Sequence, residues 1–176
     1  DPNNKEYRTA HEKITGQQPT VQKVVKSQPT VQTQKQTTTS QPTKESLIKE
    51  GDALYKSQKY TEAISKYTQA LKLDSNDYVT YLKLGNMYKA QKNATKSSEA
   101  YQNAIKINPK YTDAWFNLGL VYAETSNYSD CQKCFQKVIA LDSTYLYAYY
   151  ALAMAYESDK KYPEAIENYE KFLSLN

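Results

Sequence analysis

The chain has 176 residues, of which 39% are hydrophobic and 24% charged, and its 23 basic and 19 acidic side chains leave a formal charge of +4. A balance so close to neutral gives no basic face of the kind nucleic-acid binding needs, and no run approaches the ~18 apolar residues that would cross a bilayer. Two cysteines and one histidine, His11, do not complete a zinc site, which would need two ligands beyond the cysteine pair.

Residues 1–43 are dominated by Gln, Thr, Lys and Pro, with Tyr7 as the one aromatic, and they repeat Gln-Pro-Thr at 18–20, 28–30 and 41–43. Such a segment buries too little apolar surface to offset the entropy of ordering it, so it reads as a low-complexity tail or linker, expected to be disordered. Its six basic and three acidic residues are too dilute to form a polybasic membrane anchor. The chain begins with Asp1 rather than Met, which fits either a removed signal or anchor or a fragment of a longer protein. Localisation therefore stays open between cytoplasmic and exported or membrane-tethered.

From residue 44 the chain repeats: Gly51, Gly85 and Gly119 stand 34 residues apart, and the next step lands on Ala153. The units run over 44–77, 78–111, 112–145 and 146–176. In the first, Ala63, Ile64, Tyr67, Ala70 and Leu71 fall at three- and four-residue intervals, one stripe of an amphipathic helix. Ala114, Trp115, Leu118 and Tyr122 do the same in the third. Each unit therefore reads as two helices of about thirteen residues, too short to be stable alone in water. Polar breaks separate the helices of each pair at Ser57-Gln58-Lys59, Gln91-Lys92-Asn93, Thr125-Ser126-Asn127 and Asp159-Lys160-Lys161. Turns so short make neighbouring helices antiparallel. The glycines predict a notch on each first helix, against which Ala63, Ser97, Cys131 and Ala165 of the second helix approach closely.

In these residues the chain resembles the tetratricopeptide repeat family. The third unit matches best, with Trp115, Leu118-Gly119, Tyr122 and Phe135; the second carries Tyr81, Leu84-Gly85, Tyr88, Tyr101, Ala104 and Pro109. The first reads Leu47, Gly51, Ala63, Tyr67 and Ala70, and the fourth Tyr149, Leu152-Ala153, Tyr156, Ala165 and Tyr169. Ser97 and Cys131 depart from the usual small Ala, and only Pro109 keeps the proline between units. The resemblance implies an all-α, right-handed superhelical solenoid of stacked antiparallel helix pairs, acting as a protein-interaction scaffold without catalysis or cofactor.

In such a solenoid the first helix of each pair lines the concave face, the usual binding surface. The inward positions left over from the core stripe are Val79, Leu82, Lys83 and Asn86 in the second unit, Phe116, Asn117 and Leu120 in the third, and Tyr147, Tyr150 and Met154 in the fourth. The groove so drawn grades from charged at Glu45, Lys49 and Asp52 to apolar at its far end, which points to a neutral or apolar peptide or protein segment. Family members that bind the acidic C-terminal tails of heat-shock chaperones use a Lys, Asn and Arg clamp. The corresponding residues here are Ile48, Asp52, Lys83, Asp113 and Asn117, so the clamp is absent.

Catalytic patterns are missing: no Ser-His-Asp set, no Gly-rich phosphate loop and no His-Glu metal motif occurs. Cys131-Gln-Lys-Cys134 invites a dithiol reading, but the spacing puts both on one helix face, where compact hydrophobic packing is expected. Asn93-Ala-Thr95 and Asn127-Tyr-Ser129 match the glycosylation acceptor pattern by the ordinary composition of polar turns. Family members commonly end in a polar capping helix, and this chain stops without one. Exposed Ile166, Phe172 and Leu173 are then expected to be covered by further repeats, by a partner, or by self-association, with the tail as another route to assembly.

Overall fold

Helices of thirteen and fourteen residues alternate along residues 41–175, the part of the chain that the computed structural model describes. They are α1 Lys44–Lys56, α2 Tyr60–Leu73, α3 Tyr78–Ala90, α4 Ala94–Ile107, α5 Thr112–Glu124, α6 Tyr128–Leu141, α7 Leu146–Ser158 and α8 Tyr162–Leu175. Among the described residues no strand occurs, and no helix is long and apolar enough to cross a membrane. The Gln/Thr/Pro-rich segment lies outside the described residues except for 41–43, where Thr43 caps α1 by accepting from the Ser46 amide at 3.2 Å.

Each helix packs chiefly against its immediate neighbours in sequence, and successive first helices (α3 with α5, α5 with α7) also touch. This is the nearest-neighbour architecture of a solenoid. The turns within pairs share one geometry. Gln58, Lys92, Ser126 and Lys160 take φ of 57–60°, and in the first pair the Lys59 amide reaches the Leu54 carbonyl while Gln58 reaches Tyr55, both at 2.9 Å. That is the Schellman closure of a helix end, made without the usual glycine. Turns between pairs share another geometry: the side chains of Asp74, Asn108 and Asp142 accept from the amides of Asn76, Lys110 and Thr144 at 2.9–3.1 Å.

The glycine notches are filled differently from the sequence expectation. The atoms nearest a Cβ built at Gly51, Gly85 or Gly119 belong to the rings of Tyr67, Tyr101 and Phe135, at 2.6, 2.5 and 2.8 Å. A small residue does come close at Ser97, whose hydroxyl donates to the Gly85 carbonyl at 3.0 Å. The ring takes the notch because an aromatic sixteen residues on can lie flat across the bare backbone and be wholly buried, a gain of about 1.5–3 kcal/mol per side chain. Tyr67, Tyr101, Phe135 and Tyr169 are at most 2% exposed.

The C-terminal end also departs from expectation. Phe172 is 6% exposed rather than open, because the Tyr150 ring of α7 folds over it at 5.3 Å between centroids, and Leu173 is half-buried against the same cluster. Self-association through an exposed Phe172 therefore does not fit this end of the stack.

Candidate functional site

The first helices α1, α3 and α5 line an open groove of about 1020 Å³, walled by Tyr55, Leu82, Asn86, Asp113, Asn117 and Glu124 among others. Its shape follows from the repeat: each first helix gives its core stripe to the partner helix and leaves a second stripe inward. Of the ten positions drawn from the sequence, Leu82, Asn86 and Asn117 line this groove and are half-buried; outside its lining, Val79, Tyr147 and Met154 are 40%, 46% and 47% exposed, and Lys83, Phe116, Leu120 and Tyr150 are half-buried. A smaller cleft of about 390 Å³, with Trp115, Gln102 and Cys134 in its lining, opens between α4, α5 and α6.

Several polar groove residues are already engaged within the fold. Lys83 bonds Asp52 through both carboxylate oxygens, at 2.6 and 2.7 Å, which ties the second unit to the first. Asp52 also accepts from the Tyr67 hydroxyl at 2.7 Å. The equivalent position one unit on is Asn86, a residue of the groove lining whose side-chain oxygen accepts from Tyr101 at 2.7 Å and whose amide nitrogen is a donor. Burial is the main cause that raises the pKa of the Tyr67 and Tyr101 hydroxyls, with the bond to Asp52 adding to it for Tyr67, so both stay protonated donors. In the third unit the ring is Phe135 and the position is Leu120, so the hydroxyl and its acceptor are missing together. In the fourth, Ala153 replaces the glycine, Met154 offers no acceptor, and the Tyr169 hydroxyl goes to Glu157 at 2.7 Å. Asn117 donates to the Asp113 carbonyl one turn back at 2.8 Å, which leaves its own oxygen as an acceptor.

The apolar residues drawn for the far end of the groove rest on the core. Phe116 lies 5.4 Å from Phe135 and 5.2 Å from Tyr145 between ring centroids, and Tyr150 lies 5.9 Å from Tyr169. Such tilted pairs are favourable arrangements of ring quadrupoles and hold the groove aromatics in place. Leu120 packs with Phe116 on the cluster of Cys131, Phe135, Leu152 and Ala155.

The residues considered for chemistry have structural employment. Cys131 is fully buried and Cys134 is 3% exposed, and burial pushes both thiols up to about 12, far from the thiolate that redox or nucleophilic work requires. Asn93 and Asn127, the acceptor-pattern residues, cap α4 and α6 by accepting from the amides of Lys96 and Asp130. Sequence reasoning missed the pairing of Lys83 with Asp52 and of Tyr101 with Asn86. The one signal available was in the third unit, where the residue after the glycine is Leu120 and the aromatic is Phe135, against Asp52 with Tyr67 and Asn86 with Tyr101.

Comparison with known families places this geometry. The TPR repeat matches residues 51–92 and 85–126, and the tetratricopeptide repeat matches 112–145 and again 134–167. No curated protein matches the chain. Among solved structures, the crystal structure of MamA aligns with a TM-score of 0.74 at 26% identity, over 76% of this chain and 78% of that one. MamA 41-end from Desulfovibrio magneticus RS-1 aligns at 0.70 and 21% identity, over 75% of each. The first TPR of Spaghetti (RPAP3), bound to the HSP90 peptide SRMEEVD, aligns at 0.64 and 21% identity, over 66% of this chain and 93% of that one. At 21% identity the last two likenesses are of fold alone.

Proposed function

The chain belongs to the tetratricopeptide repeat family, whose members serve as protein-interaction scaffolds, and we propose that this one holds an extended peptide or partner segment in its concave groove and performs no catalysis. The supporting observation is where apolar surface is left uncovered. Of the five large hydrophobic side chains that stand exposed among the described residues, three, Val79, Tyr147 and Met154, are at the first-helix positions that the repeat assigns to the concave face. Uncovered apolar groups gathered along one concave face are the mark of a docking surface, and Met with aromatics supplies contact area that adapts to a partner.

The solved peptide complex of the Spaghetti domain carries an acidic peptide, and the polar residues here argue against the same ligand. Lys83 is neutralised by Asp52, and the positions that would complete a cationic clamp hold Ile48, Asp113 and Asn117. A largely apolar segment fits better, with Asn86 as donor and Asn117 as acceptor for its backbone.

The test uses the full chain against an immobilised library of extended nonapeptides. Phe116 and Tyr150 also support the core, so the informative variant alters only exposed positions: Tyr147→Ser with Met154→Glu. Binding should weaken by roughly tenfold or more, as truncation of hot-spot groups does, with helical circular dichroism and melting unchanged. Undiminished binding by the variant rejects the groove.

A further inference from the structure

Asp113 and Glu124 are the two carboxylates in the groove's lining, and among the described residues only Glu124 is answered by a cation. Asp52 is paired with Lys83 at 2.6 Å and Glu124 with Lys89 at 3.5 Å, whereas no ion pair or side-chain hydrogen bond reaches Asp113 among the described residues. Its side chain is open to solvent, yet it stands in the wall of the groove beside Leu82, Asn86 and Asn117. Partial desolvation against that wall raises its pKa, and Lys92 in the same lining does not offset it.

Asp113 and Phe116 stand three residues apart on one face of α5, and the Asp113 charge adds to burial in raising the pKa of the Tyr111 and Tyr145 hydroxyls. Tyr145 in turn lies 5.2 Å from Phe116 between ring centroids. The position of Asp113 in the first turn of α5 lets the helix dipole tolerate an acid there, but a dipole end is no counter-ion. An unanswered carboxylate beside aromatic faces is a receptor for a cationic side chain, which gains both an ion pair and cation–π attraction.

Resting on the groove reading above, we propose that the partner is an apolar extended segment bearing one lysine or arginine, whose cation seats against Asp113 and the rings of Tyr145 and Phe116 while its apolar neighbours lie toward Leu120, Tyr150 and Met154. The charge preference is thus opposite to that of an acidic-tail clamp.

The same nonapeptide library, with each position fixed in turn as Lys, Arg, Gln, Leu, Phe or Glu, tests this on the full chain. The wild type should favour Lys or Arg over Gln at one position by about fivefold to tenfold, the scale of a partly exposed ion pair with a ring contact, and the preference should shrink as ionic strength rises. Asp113→Asn should remove that preference and keep the apolar one. No cationic preference, a preference that survives Asp113→Asn or high salt, or a preference for Glu overturns the inference while the groove stands. If Tyr147→Ser with Met154→Glu leaves binding intact, the groove reading has failed and this inference with it.

Discussion

Gly85 fixes where Tyr101 sits, since an added Cβ would stand 2.5 Å from a ring carbon that is fully buried and whose hydroxyl is held by Asn86. Alanine in a helix interior is normally worth about 0.5–1 kcal/mol over glycine, but forcing a buried ring aside costs about 1–3 kcal/mol. The second effect wins. Gly85→Ala should therefore lower unfolding stability by about 1–2 kcal/mol in urea titration, against the helix-propensity trend. Ala153→Gly should destabilise too, by about 1 kcal/mol, because Tyr169 is already seated against a Cβ there and gains nothing from the space. Stabilisation by Gly85→Ala would show that the notch is not tight. The sequence displayed both members of each pair, glycine and aromatic, at fixed phase. It did not display which residue crosses into the notch, because Ser97 and Tyr101 lie on the same helical stripe and only packing distinguishes them.

Helix ends were the most legible elements. The four polar triplets bound the paired helices as expected, since three residues without an apolar anchor cannot continue a stripe that the partner helix buries. Their backbone was hidden, because Gln58, Lys92, Ser126 and Lys160 adopt a left-handed φ without glycine to announce it. An L-residue there costs about 1–2 kcal/mol, partly offset by the greater freedom of glycine in the unfolded chain. Ser126→Gly and Lys160→Gly should each stabilise by about 0.5–1 kcal/mol, read as a higher melting temperature, while alanine at the same positions brings no gain. A lower melting temperature for both glycine variants would contradict the Schellman closure.

Across the whole molecule, the four units and their register were readable from one spacing because a solenoid repeats its contacts with each step. Of the ten positions drawn for the groove, Leu82, Asn86 and Asn117 line the cavity between α1, α3 and α5. Side-chain pairing was not readable: Lys83 looks like a ligand-facing cation until Asp52, 31 residues earlier, is seen to hold it, and Phe172 looks exposed until Tyr150 stacks over it. Both depend on side-chain reach between neighbouring helices, which a periodic pattern leaves undetermined. The binding face we propose is an apolar strip from Val79 to Met154 with Asp113 beside it. Amide chemical-shift mapping of the isotope-labelled full chain against a library-selected nonapeptide tests this most directly. Shifts should gather on α3, α5 and α7, at Asn86, Asn117, Leu120, Tyr147 and Met154. Shifts confined to the Trp115 cleft between α4, α5 and α6 would contradict it.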